Sequence, residues 1–296
     1  MQQLTCNLCG GDAYTVVFRA GEAQVNQIVK CNRCGLMYAN PRSNEPDHVE
    51  VAQYDPDFVE HSIAHNDVPR LQKEALQVRD YETTRRFLAE RFPNKGRLLE
   101  VGSGLGFLLD YFKKDGWDTI GVEPNRGMCR YAEKTLGLEV LPQILPDAKF
   151  PDESFDAVLM MHVIEHVPDP TDTLREIHRV LKPGGVLVME TPRYDSLSFK
   201  LLGRRERSVS CDGHIYFFTS DTLEKIATKT GFSVVRQSPV GRSMTAGRLL
   251  YNIGVVSKSK AVQGALESTS KALGLDNIRL TLNLHDMERI YAQKMP

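Results

Sequence analysis

Arg97-Leu98-Leu99-Glu100-Val101-Gly102-Ser103-Gly104-Leu105-Gly106 starts as a short apolar run and ends as a glycine turn. The run reads as a buried strand. From Phe107 to about Lys114 the pattern is helical, and Gly116 suits the helix C-terminal cap. Strand, tight turn and helix in this order form the unit of a doubly wound α/β sheet. In such sheets ligands sit outside the carboxyl ends of the strands. Gly102, Gly104 and Gly106 let the backbone bend there and admit a ligand close to it.

Downstream the alternation continues. Thr119–Glu123 reads as a strand, Asn125 to about Leu136 as a helix stopped by Gly137, and Leu138 to about Leu141 as a third strand. Phe155–Met161 reads as a buried strand and Pro170–Val180 as a helix, with Leu174, Ile177 and Leu181 three and four apart. Val186–Glu190 is a further strand, Thr222–Thr230 a helix capped by Thr219, Ser220 or Asp221, and Phe232–Val235 a strand. A last strand, Arg289–Ala292, has no crossover helix of standard length before it. The pattern predicts a mostly parallel, doubly wound sheet.

Glu123 lies 21 residues after Gly102, at the end of the second strand. A carboxylate there can accept hydrogen bonds from both ribose hydroxyls of a nucleoside. A glycine turn alone also fits a plain strand-to-helix connection, or a dinucleotide oxidoreductase with G-x-G-x-x-G/A. Here Phe107 takes the third glycine position, which obstructs close packing against a pyrophosphate, and the carboxylate of Glu100 suits an amino group better than a phosphate.

Taken together, Leu99–Gly106, Gly121-Val122-Glu123-Pro124-Asn125, Phe150–Asp156, His162-Val163-Ile164-Glu165-His166-Val167 and Leu181-Lys182-Pro183-Gly184-Gly185 resemble, in order, the motifs of class I S-adenosylmethionine-dependent methyltransferases. The resemblance covers about residues 95–240. It implies a seven-stranded sheet of order 3-2-1-4-5-7-6 with strand 7 antiparallel. It also implies that Glu100, Gly102, Ser103, Gly104 and Gly106 hold the methionine moiety of S-adenosylmethionine, and that Glu123 and Pro124 meet the ribose. Many relatives carry Asp where this chain has Ile144, so the resemblance assigns adenine to the backbone of Ile144 and Leu145. Tyr54, in Gln53-Tyr54-Asp55-Pro56-Asp57-Phe58, falls in a helical lead-in that covers the cofactor in relatives, with core packing as the alternative.

Four of the six cysteines form two tight pairs, Cys6-x-x-Cys9 and Cys31-x-x-Cys34, separated by 21 residues. This spacing is that of a zinc ribbon, a closed Cys₄ site holding structural Zn²⁺. A redox pair would not explain two knuckles. So short a segment buries little core, and metal binding is expected to supply most of its folding free energy. A ribbon ahead of a methyltransferase domain resembles a bacterial group of sugar C-methyltransferases and surface-polysaccharide enzymes. That resemblance implies an acceptor from cell-surface glycan or secondary-metabolite biosynthesis.

Methyl transfer to a protonated nucleophile calls for a base. His214, in Gly213-His214-Ile215-Tyr216-Phe217-Phe218-Thr219, is the first candidate, because the sugar C-methyltransferases have a similar segment. Packing is its other reading. His162, Glu165 and His166 fall on one side of a helical turn. They read either as structural, with His162 lining the methionine end, or as a divalent-metal set resembling that of some catechol and RNA-end O-methyltransferases, with His214 as a fourth ligand. Ser198–Arg207 borders the substrate opening with Arg204, Arg205 and Arg207, a grip for phosphate or carboxylate or else a solvated basic face.

The chain divides into a ribbon at 1–41, a helical lead-in and cofactor lid at 42–94, and a methyltransferase domain at 95–296. Within the last, about 241–284 forms a substrate-side insertion, read as a cap with a homodimer contact as the alternative. Its 37 basic and 38 acidic residues give a net charge of -1 and no electrostatic reason to expect nucleic acid. No apolar run approaches a membrane span, the N-terminus has no signal-peptide pattern, and the expected location is cytoplasmic. The leading expectation is methyl transfer to a small-molecule substrate, O-methylation first and sugar or nucleotide-linked C-methylation next. The alternatives are an RNA methyltransferase or a ribbon that docks a protein or RNA. Few basic residues on the ribbon (Arg19, Lys30, Arg33) weaken both RNA readings.

Overall fold

The computed structural model describes residues 2–42, 78–206, 208–211, 213–257 and 259–295. Tyr54 and most of the expected lid lie outside the described residues.

Three short strands come first: β1 (Tyr14–Phe18), β2 (Ile28–Cys31) and β3 (Met37–Ala39). Helix α1 (Glu82–Arg91) leads into β4 (Arg97–Val101), α2 (Phe107–Lys114), β5 (Asp118–Val122), α3 (Arg126–Leu136) and β6 (Val140–Leu141). Next come β7 (Phe155–Met161), α4 (Pro170–Val180), β8 (Leu181–Pro192) and the short α5 (Leu197–Leu202). The remainder is β9 (Tyr216–Phe217), α6 (Ser220–Lys229), β10 (Phe232–Pro239), β11 (Arg242–Thr245), α7 (Ala246–Ser257), α8 (Lys260–Ala272), β12 (Arg279–Leu282) and β13 (Met287–Lys294).

The main sheet has the order β10-β13-β8-β7-β4-β5-β6, and β13 runs antiparallel to both neighbours. This is the expected seven-stranded order. The strands are apolar on both faces because helices cover both. Along β7, Val158 and Met160 face one core, while Ala157, Leu159 and Met161 face the other. Leu187 and Met189 of β8 follow the first set, and Val186 and Val188 the second.

Sequence and structure differ in three places. The strand expected at Val186–Glu190 spans Leu181–Pro192, since parallel pairing with β7 begins at Leu181 and antiparallel pairing with β13 reaches Pro192. The stretch before the final strand, where the sequence pattern shows no crossover helix of standard length, holds two helices: α7 and α8 pack on each other beside the antiparallel pair β11–β12. The ribbon segment also pairs beyond its own residues. Its sheet continues into the larger domain through β9, in the order β1-β2-β3-β9, with Met37 opposite Phe217 and Tyr38 opposite Tyr216. Leu8, Val29, Leu36 and Tyr38 belong to the same buried cluster as Leu99, Val158 and Ile177. A shared core therefore supplies burial that the short segment lacks alone.

Candidate functional site

A cavity of about 840 Å³ opens over the carboxyl ends of β4, β5 and β7. Gly104, at φ +53, has nothing within 4 Å of the position of a Cβ, so the turn leaves open space where a ligand would lie. Gly106, at φ +83, serves packing instead: a Cβ there would meet Leu138 Cδ1 at 2.7 Å and Ala132 Cβ at 3.0 Å. Two carboxylates flank the turn. Glu123 accepts from the backbone N–H of Gly104 (2.9 Å) and from that of Asn125 (2.9 Å), which ties the turn to the start of α3. Glu100 is 4% exposed, and its Oε2 has no hydrogen-bond partner among the described residues. Burial first, and the nearby charge of Glu123 second, push its carboxyl well above the usual carboxylate range. A buried acceptor without a donor is costly. The cationic amino group of a methionine moiety fits it. The Ser103 hydroxyl beside it is also buried without a partner among the described residues.

Gly102, Ser103, Gly104, Glu123, Pro124, Ile144 and Leu145 all line the cavity, as does His162. Ile144 stays 42% exposed while Leu145 is buried, so the pair forms a half-open apolar wall suited to a flat ring. Sequence reasoning missed Gln143, Met128, Tyr81 and Thr173, which line it too. Gln143, next to Ile144, brings a side-chain amide to this wall. Its adjacency was the only available signal.

The histidines separate into distinct environments. His162 takes φ +58, rare for a residue with a Cβ, at the end of β7. Its Nε2 lies 3.2 Å from Glu190 Oε1 and its Nδ1 3.8 Å from Glu165 Oε1. His166 lines the cavity, and its Nδ1 donates to the Gly213 carbonyl at 2.7 Å. That bond fixes the tautomer with the lone pair on Nε2. His214 does not line this cavity. It is buried behind His166, ring centroids 4.6 Å apart, with Nδ1 3.2 Å from the Tyr194 hydroxyl. Burial first, then the neighbouring imidazoles His166 and His162, lower it to about 3. His214 is thus neutral at ordinary pH, and of the two rings it is His166 that lines the cavity. The metal-type set also differs from expectation. Glu165, His166 and His214 bring ligand atoms within 4.8 Å of one another, whereas His162 turns toward Glu190. Glu165 also takes a structural part: Oε2 accepts from Thr191 Oγ1 (3.0 Å), and its carbonyl accepts from the Ile215 and Tyr216 amides.

Cys6, Cys9, Cys31 and Cys34 place their sulphurs within 4.8 Å of one another. The ligand atoms of a tetrahedral Zn–S site stand about 3.8 Å apart, given bonds of about 2.3 Å, so the four cysteines have the size and chemistry to hold zinc. Between the first pair sits Asn7. Its Nδ2 donates to Asp169 Oδ1 (2.8 Å), and its Oδ1 accepts from Thr171 N (3.0 Å) and Thr171 Oγ1 (2.6 Å). Arg42 Nη2 donates to the Pro168 carbonyl at 2.8 Å. Pro168 and Asp169 line the cavity, so the ribbon braces its wall. Arg204 and Arg205 line neither this cavity nor the second one described below, and Arg207 lies outside the described residues. The insertion at about 241–284 contributes no lining residue here among the described residues; it borders the second cavity instead.

The sequence description of the methyltransferase domain family matches residues 70–237, more than half of the chain. The chain belongs to this family. Among relatives of this methyltransferase, the ubiquinone biosynthesis O-methyltransferase of Bradyrhizobium sp. (strain ORS 278) is 34% identical over 163 residues, 51% of this chain and 64% of the relative. The protein of the same name from Ruegeria pomeroyi is 34% identical over 36% of this chain and 44% of its own length. The methyltransferase thus matches roughly half the length of these curated relatives. The fold is shared with an S-adenosylmethionine-dependent methyltransferase of Thermotoga maritima (TM-score 0.51, 22% identity, 84% and 100% of the two chains). It is also shared with the Burkholderia thailandensis 1,6-didemethyltoxoflavin-N1-methyltransferase (TM-score 0.53, 14% identity, 90% and 97%). Among the described residues of this methyltransferase, no helix is long and apolar enough to cross a membrane.

Proposed function

We propose that this methyltransferase moves the methyl group of S-adenosylmethionine onto an oxygen of a small-molecule acceptor. One observation carries the reading: the unpartnered carboxyl oxygen of Glu100 faces a cavity formed by the glycine turn and bounded by Glu123. When bound, S-adenosylmethionine supplies an electrophilic methyl on a sulfonium centre. Glu100 pairs with its amino group, Glu123 takes the ribose hydroxyls, and Gln143, Ile144 and Leu145 receive the adenine. Nε2 of His166 accepts the proton of the acceptor hydroxyl, its orientation fixed by Gly213. The choice of oxygen is supported by the imidazole of His166 at the cavity wall, and by the O-methyltransferase activity for which the ubiquinone-biosynthesis relatives are named. Cys6, Cys9, Cys31 and Cys34 hold a structural zinc whose fold braces the wall at Pro168 and Asp169.

The test is methyl transfer from labelled S-adenosylmethionine to a panel of phenolic and sugar hydroxyls, with calorimetry of S-adenosylhomocysteine and NADH alongside. Binding of S-adenosylhomocysteine and label in an ether product is expected. NADH binding without S-adenosylhomocysteine binding would overturn the cofactor assignment; label recovered only on carbon or nitrogen would overturn the acceptor atom.

A further inference from the structure

A second cavity, of about 470 Å³, lies on the far side of Tyr81. Tyr81 lines the first cavity, and the Arg289 guanidinium, 4.5 Å from the Tyr81 ring centroid, lines the second. The walls come from separate parts of the chain. The turn before α1 supplies Arg79 and Asp80, the end of β10 supplies Arg236 and Ser238, and β12 supplies Arg279 and Thr281.

The charges in this cavity do not balance. Among the described residues, Arg79, Arg236 and Arg279 form no ion pair. The one lining carboxylate, Asp80, is already engaged by Ser243, which donates both its backbone N–H and its hydroxyl. Arg289, at the floor, is neutralised by Glu190, with Nη2 to Oε2 at 2.5 Å. Three exposed guanidinium groups border one concave space and give it a positive potential that favours an anion. Arg236 is held by stacking over the Tyr291 ring at 5.4 Å, which lowers the ordering cost of using it. Hydroxyls of Thr83 and Ser238 add donors around the same space, while that of Thr281 is spent on Ser243 Oγ (3.1 Å). Planar forks plus hydroxyls suit the oxygens of a phosphoryl group, which guanidinium binds bidentately.

We propose that this second cavity binds a phosphoryl group. The group belongs either to a phosphorylated organic ligand, such as a nucleoside diphosphate, or to a free inorganic anion. The inference does not depend on the methyl-transfer reading, because it concerns different residues and is read by direct binding.

The full chain is titrated by calorimetry with inorganic pyrophosphate and with uridine diphosphate, at low and high salt. Arg236→Ala and Arg279→Ala are compared with the parent, and S-adenosylhomocysteine binding reports that each variant is folded. Expected is saturable binding that weakens with salt and falls by at least about tenfold in each variant. Tighter binding of uridine diphosphate than of pyrophosphate assigns the site to a nucleotide-type ligand; equal binding assigns it to the free anion. No saturable binding of either probe, or binding unchanged in both folded variants, overturns the proposal. A parent chain that binds pyrophosphate through these arginines but not S-adenosylhomocysteine would sink the cofactor reading and leave this one standing.

Discussion

Arg289 on β13 and Glu190 on β8 form an ion pair inside the protein, Nη2 to Oε2 at 2.5 Å, with side chains 1% and 4% exposed. The Arg guanidinium also donates to the Asp80 carbonyl (3.1 Å) and to Thr84 Oγ1 (3.2 Å), so the pair ties β13 to the start of α1. Burial would raise Glu190, but the charge of Arg289 and the hydrogen bond from His162 outweigh it and hold the carboxyl at about 2. Its folded value lies below the ordinary 4.5, so its contribution to stability is complete above that pH and is lost as pH falls toward 2. Arg289→Met strands a buried carboxylate and should cost roughly 3–5 kcal/mol in urea unfolding at neutral pH. Glu190→Gln with Arg289→Met should recover most of that. A single-variant cost within experimental error of zero would show the pair is not a structural tie.

Glu100 behaves in the opposite sense. Its folded value is raised, so the empty protein keeps a proton that the unfolded chain releases above about 4.5. Stability of the unliganded protein should therefore decline as pH rises above that point. A cationic amino group arriving at Oε2 favours the ionised form, and binding should expel a proton. Calorimetry of S-adenosylhomocysteine in buffers of different ionisation enthalpy should show proton release and an affinity that rises with pH. Glu100→Gln should abolish the release and weaken binding by about 10- to 100-fold. Unchanged proton release in that variant would remove Glu100 from the amino-group site.

The parts that sequence reading captured are those fixed by local chemistry. Bounds of β4, β7, α2 and α4 agree with expectation because a glycine turn, an Asp-Pro start or a buried apolar run marks each. Pairing across long separations left no such mark. Tyr216–Phe217 becomes a strand only because β3, far upstream, lies beside it. In α7 and α8, Gly247, Gly254 and Gly264 weaken the helical signal that packing restores. The burial of His214 behind His166 is a tertiary fact that its segment does not carry. The second cavity gathers Arg79, Arg236 and Arg279 from three separate segments, so no local motif announces it.

Asn7 tests whether the ribbon acts on the cofactor site. Its side chain clamps Asp169 and Thr171 at the first turn of α4, beside the cavity-lining Asp172 and Thr173. Asn7→Ala should keep one zinc per chain, since all four cysteines remain. Loss of these bonds, about 1–2 kcal/mol, should weaken S-adenosylhomocysteine binding by about 5- to 30-fold to the extent that the wall moves. Treating the parent with a zinc chelator should weaken it in the same direction. Equal affinity in the parent, Asn7→Ala and zinc-stripped proteins would make the ribbon a bystander to cofactor binding.

His166 and His214 lie ring against ring, yet substitution should affect them differently. His166 lines the cavity, and its Nδ1 donates to the Gly213 carbonyl. His166→Gln should lower kcat by about 100- to 10,000-fold, the usual range for removing a general base, with little change in KM for the methyl donor. His214→Ala removes one partner of the buried Tyr194 hydroxyl and opens space behind His166. It should chiefly destabilise the fold, by about 1–3 kcal/mol, with a smaller kinetic effect. The cluster with Glu165 offers a rival route in which both histidines ligate a divalent ion. In that case both substitutions would cost similar factors in kcat, and added Mg²⁺ or Mn²⁺ would restore rate to protein stripped of loosely held metal. Full rate without added metal, in protein that keeps its ribbon zinc, together with the unequal losses described, selects the base at His166.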